Sequence, residues 1–233
     1  VVTTGERLRE DVIGRTGCNP ERVLSIPTGI DHERFAPGDR AAARRALELP
    51  EDRFIVGIVA TLRSWKGHRF LVDAVAGLAD PRLLLVIVGD GPQHEALQRQ
   101  VAEAGLGERV RLAGQRSEVP PWLQAFDAFA LPSYANEGVP QALIQAMLCG
   151  LPCVTTTAGA IGEIAIDGRT ALIVAQQDSA ALAEAIVRLR DDAALRSALG
   201  AAARAHCLQG FTREAMLDRM ESVFTRAVLA RSR

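Results

Sequence analysis

The feature that most constrains this chain is an alternation. Short runs rich in Val, Ile and Leu recur, and segments with helical spacing separate them. Residues 54–62 (FIVGIVATL) precede a helix predicted over 67–78, and 83–89 (LLLVIVG) precede one over 92–104. Residues 109–114 (RVRLAG) lead to a short helix around 121–125, and 128–133 (AFALPS) to one over 140–149. Two further strands are expected at 152–157 and 170–174. Strands that are apolar along their whole length must be covered on both faces, and intervening helices supply that cover. The pattern therefore predicts an α/β fold: a Rossmann-like parallel sheet with helices on both faces and right-handed crossovers. The strand order does not follow from the pattern.

The two ends depart from the alternation. After Val174 three helices are expected, over 179–190, 193–207 and 212–229, with Ser179 and Thr212 as N-caps. At the front, residues 3–17 read as a helix opened by a capping box from Thr3 to Glu6, and residues 23–31 as a strand ending in a Pro and Gly turn. A boundary is placed near Arg22. The chain opens on an apolar VVTTG and not on Met, which reads as a start in mid-strand, in a piece of a longer protein.

Composition narrows the function. The 233 residues suffice for one large domain, or one domain and a fragment, and 48% hydrophobic with 24% charged residues is ordinary for a soluble core. A net charge of −1 gives no electrostatic ground for nucleic-acid binding. No run of about 18 apolar residues marks a membrane span, and no signal peptide is visible. Cys18, Cys149, Cys153 and Cys207 form no C-x-x-C pair, and the four histidines are scattered. No metal site is expected, and the thiols read as the reduced cysteines of a cytosolic protein. Of the 27 Lys and Arg residues, one is a lysine, Lys66. A compact ammonium kept against that arginine background suits a point-charge contact with phosphate.

In open parallel sheets ligands bind beyond the carboxyl ends of the strands, and the candidate segments all fall there. TLRSWKGH (61–68) places Thr61, Arg63, Lys66 and Gly67 between a strand and a helix start, where amides and a cation suit a phosphate. It does not match G-x-x-x-x-G-K-[ST], and a solvated basic loop is the alternative. GDGP (89–92) reads as a turn. GQRSEVPPW (114–122) is a loop whose backbone can bond a flat base edge, or simply a loop. In NEGVPQALIQAMLCG (136–150), Pro140 suits the first helical position and Gly138 permits close approach. Gln141, Gln145 and Cys149 share one face at i, i+4 spacing, so that Gln145 looks where Glu137 looks. A carboxylate and an amide there suit sugar hydroxyls, and plain capping chemistry is the alternative. AGAIGEIAIDG (158–168), with Glu163, either closes the pocket or is a strand-to-helix turn.

With these residues in view, the chain resembles the retaining glycosyltransferases of the GT-B fold, family 4. IPTGID with RFAP, LRSWKG, VGDGP and the stretch from Ala130 to Gly168 match that family's motifs in order, over nearly the whole chain. The resemblance implies a two-domain enzyme of which this is the C-terminal half, binding a nucleotide-diphosphate sugar as donor and needing no cofactor. Residues 1–22 are then a remnant of the acceptor domain and linker, 23–210 the donor domain, and 211–233 a helix crossing back. Lys66 falls on the lysine that contacts the diphosphate and Glu137 on the first Glu of E-x7-E, which meets the donor sugar. Gly138, Val139, Pro140 and Gln141 line the sugar and phosphates, and Arg116, Ser117 and Glu118 match the base-contacting loop. Two positions depart. The Arg of the family's GRL falls on Thr61, with Arg63 close enough in sequence to substitute, and the second Glu falls on Gln145. A neutral amide binds ribose hydroxyls less strongly than a carboxylate, so weaker or retuned nucleotide binding is expected. The implied reaction is metal-independent sugar transfer with retention, carried by Lys66, Glu137 and Arg63, in envelope polysaccharide or lipopolysaccharide assembly. The acceptor is a glycan or lipid-linked molecule held by the missing domain. The setting is cytoplasmic and leaves room for peripheral attachment at the inner face of the membrane. The isolated chain is expected to be inactive without its other half. A non-catalytic nucleotide-sugar-binding module and a GT-B sugar-nucleotide epimerase are the alternatives. A dehydrogenase is disfavoured because no G-x-G-x-x-G follows the first strand.

Overall fold

The computed structural model describes residues 1–231. A small unit opens it: β1 (Val2–Thr3), α1 (Glu6–Thr16) and β2 (Leu24–Ser25), the two strands pairing in parallel with each other alone. The linker and α2 (Arg40–Ala46) lead into β3 (Phe54–Val59), α3 (His68–Gly77), β4 (Leu83–Val88), α4 (His94–Glu103) and β5 (Val110–Gly114). Then follow α5 (Pro120–Ala125), β6 (Ala128–Leu131), α6 (Gln141–Leu148), β7 (Cys153–Thr155) and β8 (Leu172–Ile173). Three helices close the chain: α7 (Ser179–Asp191), α8 (Ala193–Gly210) and α9 (Arg213–Arg231).

Strands β3 to β8 form one parallel sheet in the order β5-β4-β3-β6-β7-β8. All six residues of β4 are buried, as a strand covered on both faces requires. The order is that of the doubly wound dinucleotide-binding fold: all strands stay parallel, and the order in which the chain adds them reverses between β3 and β6. A crevice opens at that reversal, because the chain leaves β3 to one side and β6 to the other.

The expected alternation stands, with the elements trimmed at their ends. The strand expected over 23–31 is confined to Leu24–Ser25; Pro27 has no N–H to continue a ladder. The Thr3 capping box is absent. Thr3 lies in β1, its hydroxyl donates to the carbonyls of Gly5 and Leu24, and Gly5 is the N-cap of α1. Asp178, not Ser179, caps α7 by accepting from the amide of Ala181, because the carboxylate one residue earlier reaches the open amide. Thr212 does cap α9, accepting from the amide of Ala215. Pro140 is the N-cap of α6 and not its first residue; its carbonyl accepts from Leu143 and Ile144.

Candidate functional site

Two loops meet at the sheet reversal. After β3 the chain makes a 3-10 turn, Ser64–Lys66, and Gly67 adopts φ 76° to start α3. A Cβ on Gly67 would run into the carbonyl oxygen of Pro132, so only glycine lets the loops after β3 and β6 close on each other. The amide of Tyr134 donates to the carbonyl of Trp65 at 2.9 Å and stitches them together.

That closure brings Lys66 and Glu137 into contact. Lys66 Nζ lies 2.6 Å from Glu137 Oε1, and the Ser133 hydroxyl donates to the same oxygen at 2.5 Å. The Thr156 hydroxyl in turn donates to the Ser133 carbonyl. Glu137's side chain is 4% exposed and that of Lys66 21%. A buried carboxylate with two donors on one oxygen is held firmly, and its Oε2 has no protein donor among the described residues. Lys66 uses one of its three N–H bonds on Glu137, leaving the others for a ligand. Beside the pair, α6 starts at Gln141 with no side-chain cap, and its first amides have no intrahelical partner. Those amides carry the positive end of the helix and suit an anion.

The segment after β7 closes the site from behind. Gly159, at φ 59°, packs against the carbonyl of Glu137, where a Cβ would collide with it. The amide of Ala160 donates to that carbonyl at 3.1 Å. Facing Glu137 is a cavity of about 510 Å³ lined by Thr4, Gly5, Arg7, Asp11, Asn136 and Glu137 among others. Sequence reasoning missed Ser133, Thr156 and Arg7. Ser133 ended an expected strand, and no spacing signal pointed to any of the three.

The other expected residues are placed as follows. Gly138 and Gln141 are exposed, Val139 and Gln145 are half-buried, and all flank the start of α6. No hydrogen bond joins Gln145 to Glu137 among the described residues. Cys149 does not join the site: it is buried at the far end of α6, one turn beyond Gln145, and lines a separate cavity with Pro37 and Leu151. Thr61 is exposed. Arg63 lies over the Trp65 ring, 5.5 Å from its centroid, and among the described residues it is Lys66 that pairs with Glu137. Arg116, Ser117 and Glu118 sit apart on the exposed loop after β5, Arg116 over the Trp122 ring and Glu118 paired with Arg34 at 3.2 Å. Burial pushes the thiols of Cys149 and Cys207 up to about 12. Among the described residues no group of three or more His, Cys, Asp or Glu side chains could hold a metal, and no helix is long and apolar enough to cross a membrane.

The family model of glycosyl transferases group 1 matches residues 53–192, which hold both site loops. The chain belongs to the glycosyl transferases group 1 family. Among curated members it is 33% identical to the D-inositol 3-phosphate glycosyltransferase of Stackebrandtia nassauensis, over 88% of this chain and 49% of that protein. The chain thus spans about half the length of these curated relatives. Among solved structures, HepE of Anabaena in complex with UDP superposes with a TM-score of 0.90 at 26% identity, covering 97% of this chain and 63% of HepE. Sucrose-phosphate synthase of Thermosynechococcus elongatus gives 0.88 at 30% identity, covering 99% and 58%. These likenesses to family members extend over the whole sheet, and the fold is that of a GT-B glycosyltransferase.

Proposed function

We propose that this chain is the donor half of a glycosyltransferase that takes a sugar from a nucleoside diphosphate, with UDP as the nucleotide. The observation that carries the reading is the Lys66–Glu137 pair at the sheet reversal, set beside the open N-terminus of α6. The complexes of HepE with UDP and with UDP-glucose support the choice of donor. In this reading residues 1–22 belong with a preceding acceptor lobe, 23–210 form the donor domain, and residues from 211 cross back. The relatives that act on D-inositol 3-phosphate, and the likeness to sucrose-phosphate synthase, support a phosphorylated polyol or sugar as acceptor.

The chemistry follows from where charge develops. As the bond from the anomeric carbon to the diphosphate oxygen breaks, negative charge gathers on the leaving phosphate. The Lys66 ammonium and the amides of Gln141 and Ala142 oppose that charge from fixed positions, so no reorganisation is needed as the bond breaks. Glu137, anchored through Oε1, accepts sugar hydroxyls with Oε2. The acceptor oxygen bonds the anomeric carbon on the face the phosphate leaves, and its proton passes to the phosphate, which retains configuration without a metal. Arg116, Ser117 and Glu118 supply the base-contacting loop, and Gln145 faces the ribose. Arg63 is retained in this reading as a second cation that the diphosphate draws off Trp65.

The test uses the full-length protein with UDP-sugars and a panel of inositol phosphates, sugar phosphates and lipid-linked glycans. Lys66→Ala is expected to lower turnover by about two orders of magnitude or more, the scale of losing one contact to a developing anion. Unchanged turnover would remove Lys66 from the mechanism. Donor isomerised without acceptor would instead indicate an epimerase, and UDP-sugar bound but never consumed a binding module.

A further inference from the structure

Helix α1 starts without a cap of its own. Gly5, its N-cap, has no side chain, and the first two amides are satisfied from far along the chain. Glu6 N–H donates to Glu163 Oε2 at 2.8 Å and Arg7 N–H to Glu163 Oε1 at 3.0 Å, a span of 157 and 156 residues. Both carboxylate oxygens are thus engaged at the positive end of a helix, a charge-assisted arrangement. A return bond runs the other way: Arg7 Nη1 donates to the carbonyl of Gly159 at 3.0 Å. The seat is fitted to glycine, since a Cβ on Gly5 would lie 3.0 Å from Glu163 Oε1 and 3.2 Å from Val139 Cγ2.

The segment that grips α1 is also the one that backs the site. Gly159 packs on the carbonyl of Glu137 and Ala160 donates to it. A continuous series of contacts therefore runs from α1 through Glu163, Gly159 and Ala160 to Glu137 and on to Lys66. Across the 510 Å³ cavity, α1 presents Arg7 and Asp11 to the same space that Glu137 faces.

We propose that Glu163 is a positioning residue: its carboxylate hangs α1 on the Gly159–Ala160 segment, so that the place of α1 and the geometry of Glu137 are set together. The inference rests on the transfer reading for its catalytic consequence, but the tie itself does not. A mere helix cap would stabilise α1 and stop there. A positioning residue also keeps the Glu137 backbone in register, and small misplacements of a reacting group can cost up to about a hundredfold in rate.

The experiment compares, in the full-length protein, Glu163→Ala, Glu163→Gln and the double variant Glu163→Ala/Gly5→Ser. Gly5→Ser offers α1 a cap from its own chain but cannot reach the Gly159–Ala160 segment, and with the Glu163 carboxylate gone its Cβ keeps one tight neighbour, the Val139 methyl at 3.2 Å, which gives way by a small side-chain shift. Amide hydrogen exchange, thermal midpoint, UDP affinity and the separate kcat and KM for donor are measured. Glu163→Ala is expected to speed exchange at Glu6, Arg7 and Ala160 by about tenfold. It should lower kcat by about tenfold while UDP affinity stays within about twofold. Glu163→Gln, which keeps one acceptor oxygen, should recover part of each loss. The double variant should regain the thermal midpoint and the protection of Glu6 and Arg7, with Ala160 and kcat still impaired. Recovery of Ala160 protection and kcat in the double variant would reduce Glu163 to a cap and overturn the proposal. So would unaltered Ala160 exchange in Glu163→Ala. Absence of any transfer by the wild-type protein defeats the transfer reading alone, because the exchange data still decide whether the tie exists.

Discussion

At the scale of single residues, the lone lysine stood out because arginine fills every other Lys or Arg position, and the structure seats it against Glu137. What the sequence did not mark was His68, just beyond Gly67. This side chain opens α3 and is 2% exposed. Burial first, and then the Lys66 ammonium nearby, push its pKa down from 6.5 to about 4. In the folded protein the ring is therefore neutral at pH 5 to 6, whereas in the unfolded chain it takes up a proton near pH 6.5. The unfolded state binds more protons over that interval, so stability is complete above about pH 6.5 and falls as pH drops toward 4. A gap of this size corresponds to about 3 kcal/mol. Urea unfolding of wild type and His68→Gln at pH 7.5 and pH 4 checks it. Wild type should lose about 3 kcal/mol more than the variant, which keeps every carboxylate that titrates in the same range. Equal losses would mean that His68 is protonated without penalty.

At the scale of elements, apolar runs and helical spacing located the six sheet strands and the helices around them, because burial on both faces of a parallel sheet leaves an unmistakable composition. Caps were less legible. Ser179 and Thr3 are good capping residues by type, yet Asp178 and the distant Glu163 do the work, since a cap is decided by which oxygen reaches the open amides in three dimensions. Strand order was not legible either, and it is the order that places the loops after β3 and β6 side by side. The opposite end of the sheet, at the amino ends of its central strands, carries a polar cluster that sequence periodicity also hid. Arg44 of α2 pairs with Asp127 at 2.6 Å and donates to the Ala125 carbonyl, while Asp127 accepts from Arg40 at 2.7 Å and from the amide of Ile55 at 2.7 Å. Both Arg44 and Asp127 are largely out of water, so removing Arg44 leaves Asp127 with only the exposed Arg40 and the Ile55 amide among its described partners, and takes away the Ala125 carbonyl's Arg44 donor. Arg44→Ala should cost about 3 kcal/mol in chemical denaturation. Because the cluster lies at the amino ends of β3 and β6, the folded fraction should bind UDP as wild type does. A weaker intrinsic affinity would show that the two ends of the central strands are coupled.

At the scale of the whole molecule, the groups proposed to bind donor all ride on one sheet, whereas the segments at either end lie outside it. The linker and α9 are bound to each other: Ile30 N–H donates to the Phe211 carbonyl and Arg213 N–H to the Ile30 carbonyl, both at 2.9 Å, and Arg213 pairs with Asp31 at 3.0 Å. The amide of Arg34, together with Arg213, holds the Asp31 carboxyl below its usual range. Beyond this junction α9 carries exposed Leu217, Phe224 and Leu229. Donor binding and transfer should therefore separate physically. Lys66, Glu137, the start of α6 and the loop after β5 are held by contacts within residues 1–231, Glu137 through the segment that Glu163 ties to α1 and Glu118 by Arg34, whereas the far wall of the cavity is α1 with Thr4 and Gly5. Residues 1–233 alone should bind UDP within about threefold of the full-length protein, a difference below 1 kcal/mol. The same polypeptide should transfer no sugar to any acceptor that the full-length protein uses. Titration calorimetry on both, beside the transfer assay, decides the matter. UDP binding that appears only in the full-length protein would mean that the nucleotide site is completed by residues outside this chain, and would move the base-contacting role away from Arg116, Ser117 and Glu118.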